Sequence, residues 1–126
     1  MMLSRAGKLY LTLKNLEGLD ISTFNNRKAL QKTIYILSEM GINFGYPYNW
    51  YLHGPYSPAL ADDAYEIEGN QQYYDEESSR FKFRESTQKI IDNYKDLFKD
   101  RKEDTDWLEL VSSLLFLRKH YGIEGE

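Results

Sequence analysis

The sequence predicts one mostly helical domain of the α+β class, and three observations carry that expectation. Apolar residues recur at helical spacing in five separate stretches, Asn43 to Leu52 alternates residue by residue instead, and glycine, proline or a capping residue punctuates the joins. A chain of 126 residues has room for a single core that buries about two-thirds of its unfolded surface, so residues 1–126 are read as one unit. No repeat and no low-complexity tract divides it.

Taken in order, Ala6, Leu9, Leu13 and Leu16 place a helix over Ser4 to Glu17, with Gly18 as a left-handed cap and Leu19 as its hydrophobic contact. A turn through Asp20 to Phe24 leads to a second helix from Asn25 to Met40. Its buried stripe is Leu30, Ile34, Leu37 and Met40, and Asn25 and Gly41 are its expected caps. Phe44, Tyr46, Tyr48, Trp50 and Leu52 stand two apart, and Pro47 makes their segment an extended or edge strand. His53-Gly54-Pro55-Tyr56 is a turn, and Ser57-Pro58 starts a third helix, with a capping hydroxyl directly before proline at the first helical position. Leu60, Ala64 and Ile67 face inward, and Gly69-Asn70 ends it.

Gln71 to Tyr74 and Arg80 to Arg84 are expected as two short strands around an Asp75 to Ser79 loop, a hairpin in the position of a wing. A helix capped by Ser86 or Thr87 follows, with Ile90, Ile91, Tyr94, Leu97 and Phe98 on one face and Lys99 to Glu103 closing it. The last helix covers 104–121, and Tyr121-Gly122 ends it. Trp107, Leu108, Val111, Leu114, Leu115 and Leu117 give it a stripe broad enough for two neighbours, either the first helix or a second copy in a homodimer. The order α-α-β-α-β-β-α-α is winged-helix-like, with its core over 25–92 and a C-terminal helical extension.

Composition narrows the chemistry. The chain has no cysteine, which excludes disulfides, thiolate catalysis and thiolate-bound metal. No signal-like opening and no run of roughly 18 apolar residues is present, so the cytoplasm is the expected compartment and no membrane is expected. Aromatic residues reach 15%, more than a core of this size needs, so some are expected to supply contact area. Net charge is −4, unevenly spread. Residues 1–50 set six cations against three carboxylates, whereas 51–79 carry seven carboxylates and no Lys or Arg.

The residues Arg27 to Leu37, then Trp50-Tyr51-Leu52-His53-Gly54-Pro55-Tyr56-Ser57-Pro58-Ala59-Leu60 and Asp63, resemble the YwgA-like family of microbial proteins. More distantly they resemble the Panacea, or SocA-like, domain. The likeness covers roughly 25–92 and is strongest at Gly54-Pro55-Tyr56-Ser57. It implies a winged-helix-like fold and an antitoxin or adaptor role exercised on another protein.

Candidate sites are weighed residue by residue. The Gly54 to Ser57 turn has a structural role in capping; the free N–H groups of the helix it opens would also suit an anion framed by Trp50, Tyr51, His53 and Tyr56. His53 has only the distant His120 as a fellow histidine and no triad or metal set in the sequence, so it is read as a structural, hydrogen-bonding residue. Asp62 and Asp63 are adjacent on a helix, point apart and are read as solvated. The row Phe44, Tyr46, Tyr48 and Trp50 is read first as core lining, with a docking face as the alternative.

The leading expectation is a regulatory or adaptor domain with no catalytic residue, metal or cofactor. It would bind a protein through Trp50, Tyr51, His53, Gly54, Pro55, Tyr56 and Ser57 and the acidic helix residues Asp62, Asp63 and Glu66. The alternative is a winged-helix DNA-binding regulator. It would use Arg80, Lys82 and Arg84, alternating with Phe81 and Phe83, together with Arg27, Lys28 and Lys32. The acids of the presumed recognition helix would repel phosphate, which disfavours it.

Overall fold

A computed structural model describes residues 2–16, 18, 20–101 and 104–122. Glu17 and Leu19, the expected end of the first helix and its hydrophobic contact, and Glu103 lie outside the described residues. The elements are α1 (Arg5–Leu16), α2 (Phe24–Glu39), β1 (Asn49–Tyr51), β2 (Gly54–Tyr56), α3 (Pro58–Gly69), α4 (Gln71–Ser78), α5 (Glu85–Phe98) and α6 (Thr105–Tyr121). The mostly helical α+β class holds. Among the described residues no helix is long and apolar enough to cross a membrane.

Local signals set most helix ends. Ser57 Oγ accepts from Leu60 N–H with Pro58 in the first turn, Gly41 leaves α2 at φ +125°, and Gly122 ends α6 in the left-handed region. Asp104 caps α6 through Trp107 N–H. Thr23, rather than Asn25, caps α2, its hydroxyl accepting from Asn26 N–H. Arg84 precedes α5 with no side-chain cap, so neither Ser86 nor Thr87 serves.

α2 is the central element, and Leu30, Ile34, Ile36 and Leu37 are buried along it. α6 crosses it with Leu108, Ser112 and Phe116 inward, spaced four apart, while Leu110 and Leu114 face solvent. Among the described residues α6 packs on α2 and β2 and makes no contact with α1; the expectation that its stripe would cover the first helix is corrected. α1 instead packs on α3, α4 and α5. At Gly7, where a Cβ would meet the Glu77 carboxylate and the side chains of Leu3 and Ser4, the Glu77 side chain of α4 lies against the α1 backbone.

Two further corrections concern the strands. The two-stranded sheet is formed by the Gly-Pro-Tyr segment itself, with Asn49 opposite Tyr56, Trp50 opposite Pro55 and Tyr51 opposite Gly54 across a Leu52-His53 loop. Residues 42–48 pair with no strand, and Gly45 among them has φ +84°; Phe44 and Tyr46 are buried, as the alternation predicts, whereas Trp50 and Leu52 of the same row are exposed. The expected wing is absent: 71–78 is helix α4 and 81–84 belongs to no strand, so the element order is α-α-β-β-α-α-α-α. The segment expected as a loop has partners on α1 and just before it. Tyr10 Oη donates to Asp75 at 2.6 Å and Ser4 Oγ to Glu77 at 3.0 Å, while Tyr74 and Ser78, one turn apart, are buried. These contacts hold the segment as a helical turn.

Candidate docking cleft

The face of α2 opposite its interior stripe presents Phe24, Lys28, Gln31 and Tyr35 at spacings of four, three and four, with Lys32 beside them. This face meets the hairpin. Gln31 is buried and grips one peptide unit on each side of Ser57: its Nε2 donates to the Ser57 carbonyl at 2.9 Å, and Ser57 N–H donates to its Oε1 at 2.9 Å. Lys32, only 2% exposed, donates from Nζ to the Pro55 carbonyl at 2.8 Å. Two adjacent polar side chains of α2 thus satisfy the backbone that joins β2 to α3. Gly54 has φ +93°, which favours glycine, and a Cβ on it would stand 2.5 Å from Ser113 Oγ on α6, so that hydroxyl would have to turn away.

Between this α2 face, the hairpin and α3 lies a cleft of about 310 Å³. Its walls are Ile21, Phe24, Leu30, Tyr51, Leu52, Tyr56, Ala61, Ala64 and Tyr65; its polar lining is Arg27, Lys28, Gln31, Lys32 and His53. Among the described residues no carboxylate lines it. Lys28 reaches outward to Glu109 Oε1 at 2.6 Å and Asp106 at 3.5 Å, and Arg27 donates to the Ile21 carbonyl at 3.1 Å. Burial depresses the Lys32 ammonium to a pKa of about 8, with Lys28 adding to the fall and Glu109 opposing it. His53 is half exposed, set edge-on to Phe24 at 5.2 Å, with Nδ1 3.6 Å from Glu109. It is a rim residue, set between Phe24 and Glu109.

The structure brings Tyr51, His53, Gly54 and Tyr56 together with Arg27, Lys28 and Lys32, uniting parts of two sets that the sequence kept in rival hypotheses. The rest are placed elsewhere. Trp50 leans on Phe116 of α6 at 5.6 Å, and Pro55 and Ser57 are buried behind the hairpin. Asp62 is exposed outside the cleft lining. Asp63 is not solvated: it receives Arg5 Nε at 2.8 Å and Tyr46 Oη at 2.7 Å. Glu66 accepts from Tyr74 Oη at 3.1 Å. The aromatic turn and the acidic helix face therefore do not form one surface. Arg80, Lys82 and Arg84 are exposed on the segment before α5, and none lines the cleft, so the six cations form no continuous strip.

Phe24, Leu52 and Tyr65 line the site without having been singled out beforehand. The spacing of Phe24, Lys28, Gln31 and Tyr35 is the signal that could have found the first; Leu52 and Tyr65 carry no local mark. No protein-family model matches the chain, and no curated protein and no solved structure matches it significantly.

Proposed function

We propose that the chain is a non-catalytic adaptor or regulatory domain that docks a protein partner in the cleft between α2, the hairpin and α3. One observation carries this: Leu52 is 92% exposed, Phe24 54% and Tyr65 53%, and all three, with half-exposed Tyr51, gather at a single opening. Scattered exposed apolar residues are ordinary, but a contiguous group around a concavity marks a contact surface, and buried aromatic anchors dominate such interfaces. The lining holds three cations and no carboxylate, so the partner segment that fits is an apolar anchor residue flanked by acid. The resemblance of Gly54-Pro55-Tyr56-Ser57 to a family linked with adaptor roles supports the same reading.

The second reading, a DNA-binding regulator, has the exposed Arg80, Lys82 and Arg84 in its favour. The scatter of its cations weakens it, since Arg80, Lys82 and Arg84 lie outside the cleft that holds Arg27, Lys28 and Lys32, and a phosphate backbone is held by a continuous run of cations.

The docking reading is tested with a photo-crosslinking residue at Tyr65, which identifies the partner, followed by affinity measurements on the purified pair. Tyr51→Ala with Tyr65→Ala is expected to weaken binding about 30-fold, as loss of about 2 kcal/mol of anchor contacts would. An unchanged Kd for a folded double variant overturns the cleft as the docking site, and retention on random duplex DNA that falls steeply with salt would favour the second reading instead.

A further inference from the structure

Lys32 is the least exposed cation of the cleft and the least provided for. An ammonium has three N–H donors, and among the described residues only the Pro55 carbonyl accepts from this one. The nearest carboxylate that acts on it, Glu109, is committed to Lys28 at 2.6 Å and lies 3.6 Å from His53. Two buried or nearly buried ammonium groups, Lys28 and Lys32, therefore share one partly buried acid. Asp106, the other acid near Lys28, is almost wholly in solvent and compensates little. A charge left out of water in this state is costly unless an opposite charge joins it.

We propose that the cleft binds a monocarboxylic acid with an apolar tail, its carboxylate on the Lys32 ammonium and its tail along Phe24, Tyr51 and Tyr65. The carboxylate brings what the lining lacks, an anion with lone pairs for the free donors. Gln31 cannot compete, because both ends of its amide are held by Ser57. A single ammonium matches a monoanion better than a phosphate dianion, which needs a wider set of donors. The cavity of about 310 Å³ lies at the small end of ligand pockets, suited to an acid of moderate chain length. This inference uses the same cleft as the docking reading but needs no protein partner; where both occur, acid and partner exclude each other.

Octanoate and octanamide are suitable probes because they share the tail and differ in charge. Calorimetry on the full chain at pH 7 is expected to show one octanoate site, at least tenfold tighter than octanamide, and Lys32→Met is expected to bind the two equally. Intermolecular nuclear Overhauser contacts in the wild type give a readout that does not depend on the variant folding: tail protons of octanoate should reach the rings of Tyr51 and Tyr65. Equal affinity for acid and amide in the wild type, no octanoate binding at millimolar concentration, a preference that survives in folded Lys32→Met, or tail contacts elsewhere would each overturn the proposal. None of these results depends on the crosslinking experiment, so the two ideas fail separately.

Discussion

Around the cleft, cations face apolar walls with no acid among the described residues that line it, whereas Asp63, Glu66, Asp75 and Glu77 of α3 and α4 each meet a donor from another residue, on α1, just before it or on α4. Both regions look like solvated charge in the sequence. The second is a seam between elements, part of it still in solvent: Arg5 and Tyr46 hold largely covered Asp63, Tyr10 and Lys14 hold exposed Asp75, and Ser4 holds Glu77. The first is supplied with counter-charge from one side only, through Glu109. Net charge along a stretch of chain therefore says little about availability. What matters is whether the fold brings a partner to each ionised group.

The largest expected effect tests how firmly the cleft is built. Gln31→Ala leaves the buried Ser57 N–H without a partner, while the Ser57 carbonyl loses one bond and keeps Ala61 N–H at 3.2 Å; at about 2 kcal/mol for the first and about 1 for the second it should cost about 3 kcal/mol in urea denaturation. A loss under about 1 kcal/mol would mean the hairpin is held by something else.

Next comes the response to alkali, which should have opposite sign in the two regions. Lys32 has its pKa lowered from 10.5 to about 8, mainly by burial, with Lys28, Glu109 and His53 as its charged or titratable surroundings. Below pH 8 both folded and unfolded chains hold this proton and the penalty is full. Between pH 8 and 10.5 only the unfolded chain holds it, so stability should rise with pH, by up to about 3 kcal/mol at about 1.4 kcal/mol per unit. Tyr10 is the converse. Its bond to Asp75 and its burial raise it from 10.0 to about 12, so its contribution is complete below pH 10 and lost as pH climbs through 12. The difference in stability between wild type and Lys32→Met, followed from pH 7 to 10, isolates the first effect. A flat difference would show that Lys32 carries no uncompensated charge.

The smallest of the three bears on the seam. Asp63→Ala should cost about 2 kcal/mol by thermal melting, because it strands the hydroxyl of buried Tyr46 and leaves Arg5 without its acid. Lys32→Met at pH 7 should cost less than that or stabilise, since it removes a buried charge together with its penalty. If the two rank the other way, the contrast between a satisfied seam and an under-supplied cleft is wrong.

The helices and their stops were legible because the signals are carried within a few residues: Ser57 before Pro58, Asp104 before α6, the positive-φ Gly41 and Gly122, and apolar stripes at helical spacing. Alternation likewise marked Phe44 and Tyr46 as inward, though not the exposed Trp50 and Leu52 of the same row. Local pattern failed at 71–84, where Tyr73-Tyr74 suggested a strand; the segment is helical because its acids find Ser4, Tyr10 and Lys14, some 60 to 70 positions earlier. It failed also for the site, placing Lys32 among the surface cations when its ammonium is folded under the hairpin onto Pro55. Caps and periodicity are properties of neighbouring residues, so one dimension contains them. The partner of an ionised group, and the opening left where Phe24, Leu52 and Tyr65 converge, depend on segments far apart in the chain, and only their packing decides either one.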